Sequence, residues 1–340
     1  RGGKICDLPV FKKIEDLPNR IEMAIVMLPA NQTPKAIKDC AVKGIKSAVL
    51  AAGGFAEVDH SGEDLQIHLK EIIKETGVRV LGPNTAGHIS TPSGFTSSFF
   101  PLGKIPKGGI SYIAQTGNFT GAMMRSIMSG EHYGVARCVG LGNTIDIDEA
   151  DVLEFLAYDR ETKAIFIYLE SLHRPQEFLK IARMVTRKKP VIMLKGGATE
   201  AGAKAAMSHT ASLGANDKIL DGALRQAGII RIDEFSHLFT AAKAAAMMPV
   251  PTGNRVGFVS PSGAFIVHLS DICKQRTCLD FSSVTSATQL RLEEISPSFI
   301  NITNPVDVFP SATVNGMEFA WRESMEALLN DDNVDAVVAI

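Results

Sequence analysis

The sequence has no CxxC pair, and its five cysteines (Cys6, Cys40, Cys138, Cys273 and Cys278) are scattered along 340 residues. That pattern excludes a disulfide framework and a cysteine-built zinc site, and no metal ligands are expected on this chain. Free thiols fit a reducing compartment, which we read as the cytoplasm. No apolar run approaches the roughly 20 residues that a spanning helix needs, so no membrane partner is expected. The first residues, RGGKICDLPVFKK, lack the apolar centre of a secretory signal. Neither sign of charge dominates: 35 Lys and Arg against 37 Asp and Glu leave a formal charge of -2. A balanced chain has no electrostatic footprint for nucleic acid. The chain also lacks an initiating Met and stops at Ile340 inside an apolar run, so a longer polypeptide is expected.

What is present is an alternation of short apolar runs and helical patterns. Hydrophobic residues make up 45% of the chain, enough for two or three cores in 340 residues. Buried strands are predicted at residues 23–28, 47–51 and 78–81, with helices over 33–42 and 65–75 between them. Thr33 and Pro34 form the start of the first helix. Continuous apolar strands joined by helices indicate a parallel sheet covered on both faces. This first domain is expected over residues 1–96. A Gly/Pro/Ser-rich stretch, TPSGFTSSFFPLGKIPKGG, separates it from a second domain over 97–250. There strands are predicted at 110–114, 137–140, 164–169 and 191–194. Phe178, Ile181, Ala182 and Val185 mark the buried face of one helix. Pro249, Val250 and Pro251 form a linker before a third unit over 251–340.

The third unit repeats part of the second. IAQTGNF at 113–119 matches VSPSGAF at 259–265 in pattern, and LAYDRETKAI at 156–165 matches LLNDDNVDAV at 328–337. Two matches in one order argue for related α/β units in tandem. In each unit a turn of small residues follows a buried strand and opens a helix. Gln115, Thr116, Gly117 and Asn118 form the first turn; Ser262, Gly263 and Ala264 form the second. Helix starts present unpaired N–H groups and the positive end of the dipole, so both turns are candidate phosphate sites. Each could equally be an ordinary capped turn.

Of eight histidines, His209 stands apart because small residues flank it on both sides, in a stretch without an amphipathic face. Imidazole suits covalent catalysis near neutral pH. A solvated loop histidine is the plainer alternative. Glu170 ends an apolar strand, where open α/β sheets bind ligands. A carboxylate there can accept one imidazole N–H and leave the other nitrogen nucleophilic.

These residues, together with ordered motifs along nearly the whole chain, carry a resemblance. The motifs are Leu81-Gly82-Pro83-Asn84, Gly108-Gly109-Ile110, Gln115-Thr116-Gly117, Gly140-Leu141-Gly142-Asn143, Asp148-Glu149-Ala150-Asp151, Tyr168-Leu169-Glu170, the 200–214 loop and Asn304-Pro305-Val306-Asp307. The chain resembles the NDP-forming acyl-CoA synthetases, relatives of the succinyl-CoA synthetase α subunit. The resemblance implies an α/β fold of tandem parallel-sheet domains: a truncated Rossmann-like CoA-binding domain followed by two flavodoxin-like domains. It implies reversible acyl-CoA formation from a carboxylic acid, CoA and ATP, through an acyl phosphate and a phosphohistidine. By this resemblance His209 is the phosphorylated histidine and Glu170 orients it, while Gln115–Asn118 and 262–264 cradle the phosphate. Pro29, Ala30, Gly53, Gly54, Phe55 and Asn84 match loops that contact CoA.

The chain departs from the family pattern in four ways. The glycine-rich CoA loop would precede Arg1, Ala211 replaces a glycine after His209-Thr210, and Pro261-Ser262-Gly263-Ala264 is less glycine-rich than usual. The ATP-grasp domains, expected to hold ATP or ADP with Mg2+, are missing and are expected further along the polypeptide or on a partner in an oligomer. The alternative is a non-catalytic CoA- or acyl-CoA-sensing region of a larger protein, such as a fused acyltransferase.

Overall fold

The computed structural model describes residues 3–199, 201–202, 204, 217–249, 251–276 and 278–340. His209 and residues 205–216 around it lie outside the described residues. The chain forms two compact units, Arg1–Met248 and Pro249–Ile340.

The first unit begins with an antiparallel hairpin, β1 (Gly3–Ile5) and β2 (Leu8–Val10). Its turn residues, Cys6 and Asp7, both have positive φ, the geometry that matches the twist of a two-residue hairpin. A three-stranded parallel sheet follows, built from β3 (Met23–Val26), β4 (Ser47–Leu50) and β5 (Arg79–Leu81) in that order. Helix α1 (Thr33–Lys43) connects β3 to β4 and stops at Gly44, whose φ is 83°. Helix α2 (His60–Thr76) connects β4 to β5, and the Asp59 side chain caps it by accepting from the Gly62 amide at 2.9 Å. Ile37, Leu50, Phe55, Leu69, Ile72 and Val80 form the core between sheet and helices.

The larger sheet has seven strands: β6 (His88–Ser90), β7 (Phe95–Thr96), β8 (Lys107–Ala114), β9 (Val135–Gly140), β10 (Ala164–Leu169), β11 (Val191–Lys195) and β12 (Ile230–Ile232). Their spatial order is β12-β11-β10-β8-β9-β6-β7. Strands β8 to β12 pair in parallel, whereas β6 runs antiparallel to β9 with His88 opposite Val139. The boundary expected at residue 96 therefore falls inside this sheet: residues 88–96 form its edge hairpin. Short polar strands carry no signal for which sheet they join, because that is settled by partners about 50 residues away. Helices α4 (Glu149–Tyr158), α5 (Pro175–Val185), α6 (Asp217–Gln226) and α7 (Phe235–Met247) join or flank these strands. Phe178, Ile181, Ala182 and Val185 face the core from α5, as their spacing predicts.

One expected helix is broken. After β8 the chain makes a 3-10 turn at Gly117–Thr120, then α3 (Ala122–Ser126), then a wide turn at Ile127–Glu131. Gly121 interrupts the helix with φ −127° and ψ −105°. A Cβ at Gly121 would lie 2.7 Å from the Phe100 ring, so the ring occupies the space a side chain would need.

The second unit centres on β13 (Val256–Ser260), with β14 (Val306–Asp307) on one side and β15 (Ala336–Ala339) on the other, all parallel. Helices α8 (Gly263–Arg276), α9 (Ser286–Glu294), α10 (Phe309–Asn315) and α11 (Met317–Leu329) complete it around Val259, Leu292, Ile302, Val306 and Leu328. The order β14-β13-β15 repeats β9-β8-β10 of the first unit. Equivalent main-chain bonds start the two outer strands: Lys163 N donates to Gly109 O at 2.7 Å, and Asp335 N to Arg255 O at 2.8 Å. The repeat read from the sequence is therefore a repeat of topology. Among the described residues no helix is long and apolar enough to cross a membrane.

Candidate active site

Parallel strands deliver their C-terminal ends to one edge of a sheet, where loops leave room for ligands. Gln115 follows β8 and Glu170 follows β10, on adjacent strands. The buried Gln115 side chain joins them. Its Oε1 accepts from the Glu170 amide at 2.6 Å and the Ser171 amide at 2.9 Å, and its Nε2 donates to Ser171 Oγ at 2.8 Å. Gln115 N in turn donates to Tyr168 O at 3.0 Å. The glutamine thus acts as a brace as well as a turn residue.

Two side chains missed in the sequence complete the surroundings of Glu170. Tyr168 donates from its hydroxyl to Glu170 Oε1 at 3.1 Å, and its ring stacks on Phe235 at 5.3 Å. Burial, with the Glu170 charge beside it, pushes the Tyr168 phenol up to about 12, so it remains a donor. Lys195 ends β11 and Glu170 directly follows β10, and Leu169 pairs with Lys195 across the strands. Its ammonium donates to Glu170 O at 2.7 Å and also to Gly196 O. Burial lowers its pKa, and Arg231 acts in the same direction against Asp217 and Glu170. A lone charge closing an apolar strand, VIMLK beside AIFIYLE, is the sequence signal that finds it.

The rest of the first phosphate turn lies next to this brace. Thr116 Oγ1 accepts from the Asn118 amide at 3.3 Å, and Asn118 is exposed. A Cβ at Gly117 would sit 3.1 Å from Ala86 Cβ, so the glycine permits close approach of the two loops. In the second unit, Ser262 N donates to the buried Ser260 Oγ at 3.1 Å, and α8 begins at Gly263. The position of a Gly263 Cβ is 3.6 Å from Asp307 Oδ2, and Ala264 is exposed. Asp307 also accepts from Phe309 N at 3.0 Å, which fixes the end of β14 beside this turn.

The candidate CoA residues converge at the ends of β3, β4 and β5. Gly54 has φ +103°, and a Cβ there would lie 3.1 Å from Ala30 Cβ; Pro29 precedes it and is exposed. A Cβ at Gly53 would lie 3.3 Å from Asn84 Oδ1. Backbone and small side chains are what a nucleotide-like ligand needs for close approach, and these loops fit it on that ground. Phe55 differs: its ring is fully buried in the core, leaving only its backbone at the loop. The sequence did not single out Glu57 or Asn143 as ligands of this loop. Glu57 Oε1 accepts from Gly54 N at 2.6 Å, and Asn143 Nδ2 donates to Glu57 Oε2 at 2.5 Å. Burial acts to raise the Glu57 pKa, but bonds from Asn143 and from the Gly54 and Phe55 amides outweigh it and hold the carboxyl below its ordinary range. Asn84 Nδ2 donates to Asn143 Oδ1 at 3.3 Å, tying both sheets' loops together.

Between these groups lies a cleft of about 170 Å³, which Asn84, Gln115, Thr116, Gly117 and Asn143 share with Phe99 and Phe100. The Gly/Pro/Ser-rich stretch read as separating two domains therefore contributes to the site.

Known proteins resemble this chain along nearly its whole length. Residues 107–245 match the succinyl-CoA ligase like flavodoxin domain, and residues 1–90 match the CoA binding domain. The acetate–CoA ligase [ADP-forming] I subunit alpha of Pyrococcus furiosus is 33% identical over 96% of this chain and 70% of its own length. The chain belongs to the ADP-forming CoA ligase family. Within that family, acetate–CoA ligase [ADP-forming] II of Archaeoglobus fulgidus is 38% identical over 99% of this chain. The chain spans about half, 50%, of that relative's length. Among solved structures, dinucleotide forming acetyl-coenzyme A synthetase 1 of Ca. Korarchaeum cryptofilum, in complex with phosphate and ADP, superposes with a TM-score of 0.90. It is 30% identical, and the match covers 99% of this chain and 71% of that one.

Proposed function

We propose that this chain is the CoA-binding and phosphohistidine part of an acid–thiol ligase that converts a carboxylic acid, CoA and ATP reversibly into acyl-CoA, ADP and phosphate. The observation that carries this reading is the Gln115 brace, which holds the Glu170 backbone and the phosphate turn in one frame at the sheet edge. In this reading residues 1–87 bind CoA, 88–250 carry the relay and 251–340 supply the second phosphate turn. ATP with Mg2+ binds on an ATP-grasp domain or subunit that works with this chain.

The chemistry needs three transfers. The imidazole of His209 takes the γ-phosphoryl group of ATP and releases ADP. An oxygen of the acid's carboxylate then attacks the phosphorus, the N–P bond breaks, and an acyl phosphate forms. The CoA thiolate attacks the acyl carbon and phosphate leaves. Glu170 accepts one imidazole N–H, which keeps the other nitrogen nucleophilic. Backbone amides of the Gln115–Asn118 turn hold the phosphate in transit. Pro29, Ala30, Gly53, Gly54 and Asn84 line the CoA loops, with the Phe55 backbone beside them.

The test is acid-labile labelling from γ-labelled ATP, with the nucleotide-binding part present. Label on the wild type and none on His209→Ala supports the reading. An unlabelled wild type, or equal label on the variant, sinks it.

A further inference from the structure

The edge hairpin of the larger sheet encloses another cavity, away from the relay. Strands β6 and β7 supply one side, with Ile89 paired to Thr96 and Ser90 to Phe95. The chain from Gly103 to Lys107, which leads into β8, supplies the other. The volume is about 470 Å³, inside the range of about 300–1,000 Å³ in which small molecules are bound. Lys107 opens β8 and Gln115 follows its end, so roughly 20 Å of strand separates this cavity from the phosphate turn. The two cavities share no residue.

The lining combines two chemistries. Ile89, Phe95, Ile105 and Pro106 make it apolar. Phe95 touches the His88 ring at 5.4 Å yet stays 41% exposed on the last strand of the sheet, so its ring has apolar surface to offer a ligand. Lys104 and Lys107 stand on the same cavity, and among the described residues neither ammonium has a hydrogen-bond or ion-pair partner. No Asp or Glu lines it. Arg137 donates to Ser90 Oγ from behind, but Asp159 at 3.1 Å already neutralises it. Two unmatched positive charges beside apolar surface call for an anionic head on a hydrocarbon chain. A bare anion would leave the apolar wall in water, and a neutral hydrocarbon would leave the lysines unused. Size sets the length. An apolar cavity of about 150 Å³ takes one benzene, so about 470 Å³ takes at most about 18 non-hydrogen atoms, and a ten-carbon carboxylate has about twelve.

We infer that this cavity binds an amphipathic carboxylate, a straight chain of about eight to twelve carbons lying on Ile89, Phe95 and Ile105 with its head taken by Lys104 and Lys107. The inference stands apart from the ligase reading, because no residue of the relay or of the CoA loops lines this site.

The experiment is calorimetric titration of the assembled protein, with its nucleotide-binding part, using decanoate, decanol and inorganic phosphate. Wild type is expected to bind decanoate more tightly than decanol, and phosphate at equal concentration is expected not to displace decanoate. Lys104→Met combined with Lys107→Met is expected to weaken decanoate by at least about threefold and to leave decanol unchanged, since each exposed charge contributes modestly. Phe95→Ser is expected to weaken both ligands by about tenfold through the apolar contact it removes. None of these residues lines the catalytic cleft, so decanoate bound there would keep its affinity in every variant. The lysines are exposed, so their replacement tests the inference even if Phe95→Ser unfolds. Wild type that binds no decanoate overturns the inference. So does decanoate affinity that is unchanged in the lysine variant or in folded Phe95→Ser, because the ligand needs both ends. Displacement by phosphate at equal concentration overturns it as well, since that would make the cavity a plain anion site.

Discussion

The Gln115 side chain bonds to two amides and one hydroxyl at the end of β10; the two Ser171 groups are buried and the Glu170 amide is half-buried. Gln115→Leu keeps the volume and leaves those groups unpaired, which costs about 1–3 kcal/mol per stranded group. The variant is expected to show a lower denaturation midpoint and slower labelling of His209; normal labelling at lowered stability would reduce Gln115 to a structural role. Tyr168→Phe separates the two effects more cleanly. It keeps the stacking on Phe235 and removes only the bond to Glu170 Oε1. The expected result is a drop in labelling rate of about tenfold with a stability change near 1 kcal/mol. His88 carries the pH dependence at this scale. Burial lowers its pKa, the Arg137 charge lowers it further, and its Nδ1 meets Ser97 Oγ at 2.8 Å. Its folded pKa lies below the unfolded value of about 6.5. As pH falls below that value, the unfolded chain therefore binds more protons and stability declines. Urea midpoints between pH 7 and 5 are expected to fall in wild type and to flatten in His88→Gln.

Helix α4 shows how an element is held by its first turn. Asp148 Oδ1 accepts from the Ala150 amide at 2.9 Å and the Asp151 amide at 3.2 Å, and Arg174 Nη2 reaches Asp148 Oδ1 at 2.7 Å. Burial acts to raise the Asp148 pKa, but Arg174 and the two amides together hold it below its ordinary range. Asp148→Ala removes the cap and strands the Arg174 clamp, for an expected loss of about 1–2 kcal/mol in chemical unfolding. An unchanged midpoint would show that Asp151 alone satisfies this helix start. The motif Asp148-Glu149-Ala150-Asp151 was visible in the sequence, and the cap it forms is local to one turn. The break after Gly117–Thr120 was not, because Gly121 is held away from helical geometry by Phe100, 21 positions earlier. The same contrast separates the two repeated turns: α8 runs 14 residues from Gly263, whereas α3 has five.

At the scale of the whole molecule, the second unit has its own core, with Leu292 fully buried among Val259, Ile302 and Leu328. Leu292→Ala is expected to cost about 2–5 kcal/mol and to move one calorimetric transition while leaving the other in place. A single transition moving as a whole would show that the two units unfold together. Periodicity and strand-end position were enough to read the α/β class, the helix face of α5, the placement of Glu170 at the end of β10, and the tandem repeat. Those features depend on residues within a few positions of each other, or on a pattern copied along the chain. The joining of residues 88–96 to the larger sheet depends on pairing between His88 and Val139. The Gln115 brace, the Lys195 contact with Glu170, and the Phe99 and Phe100 wall likewise depend on groups brought together from distant positions. The sequence by itself thus determined the α/β class, the buried face of α5 and which turns carry small residues. Only the tertiary structure decided which side chains close the cleft, because that follows from packing between loops that no local pattern encodes.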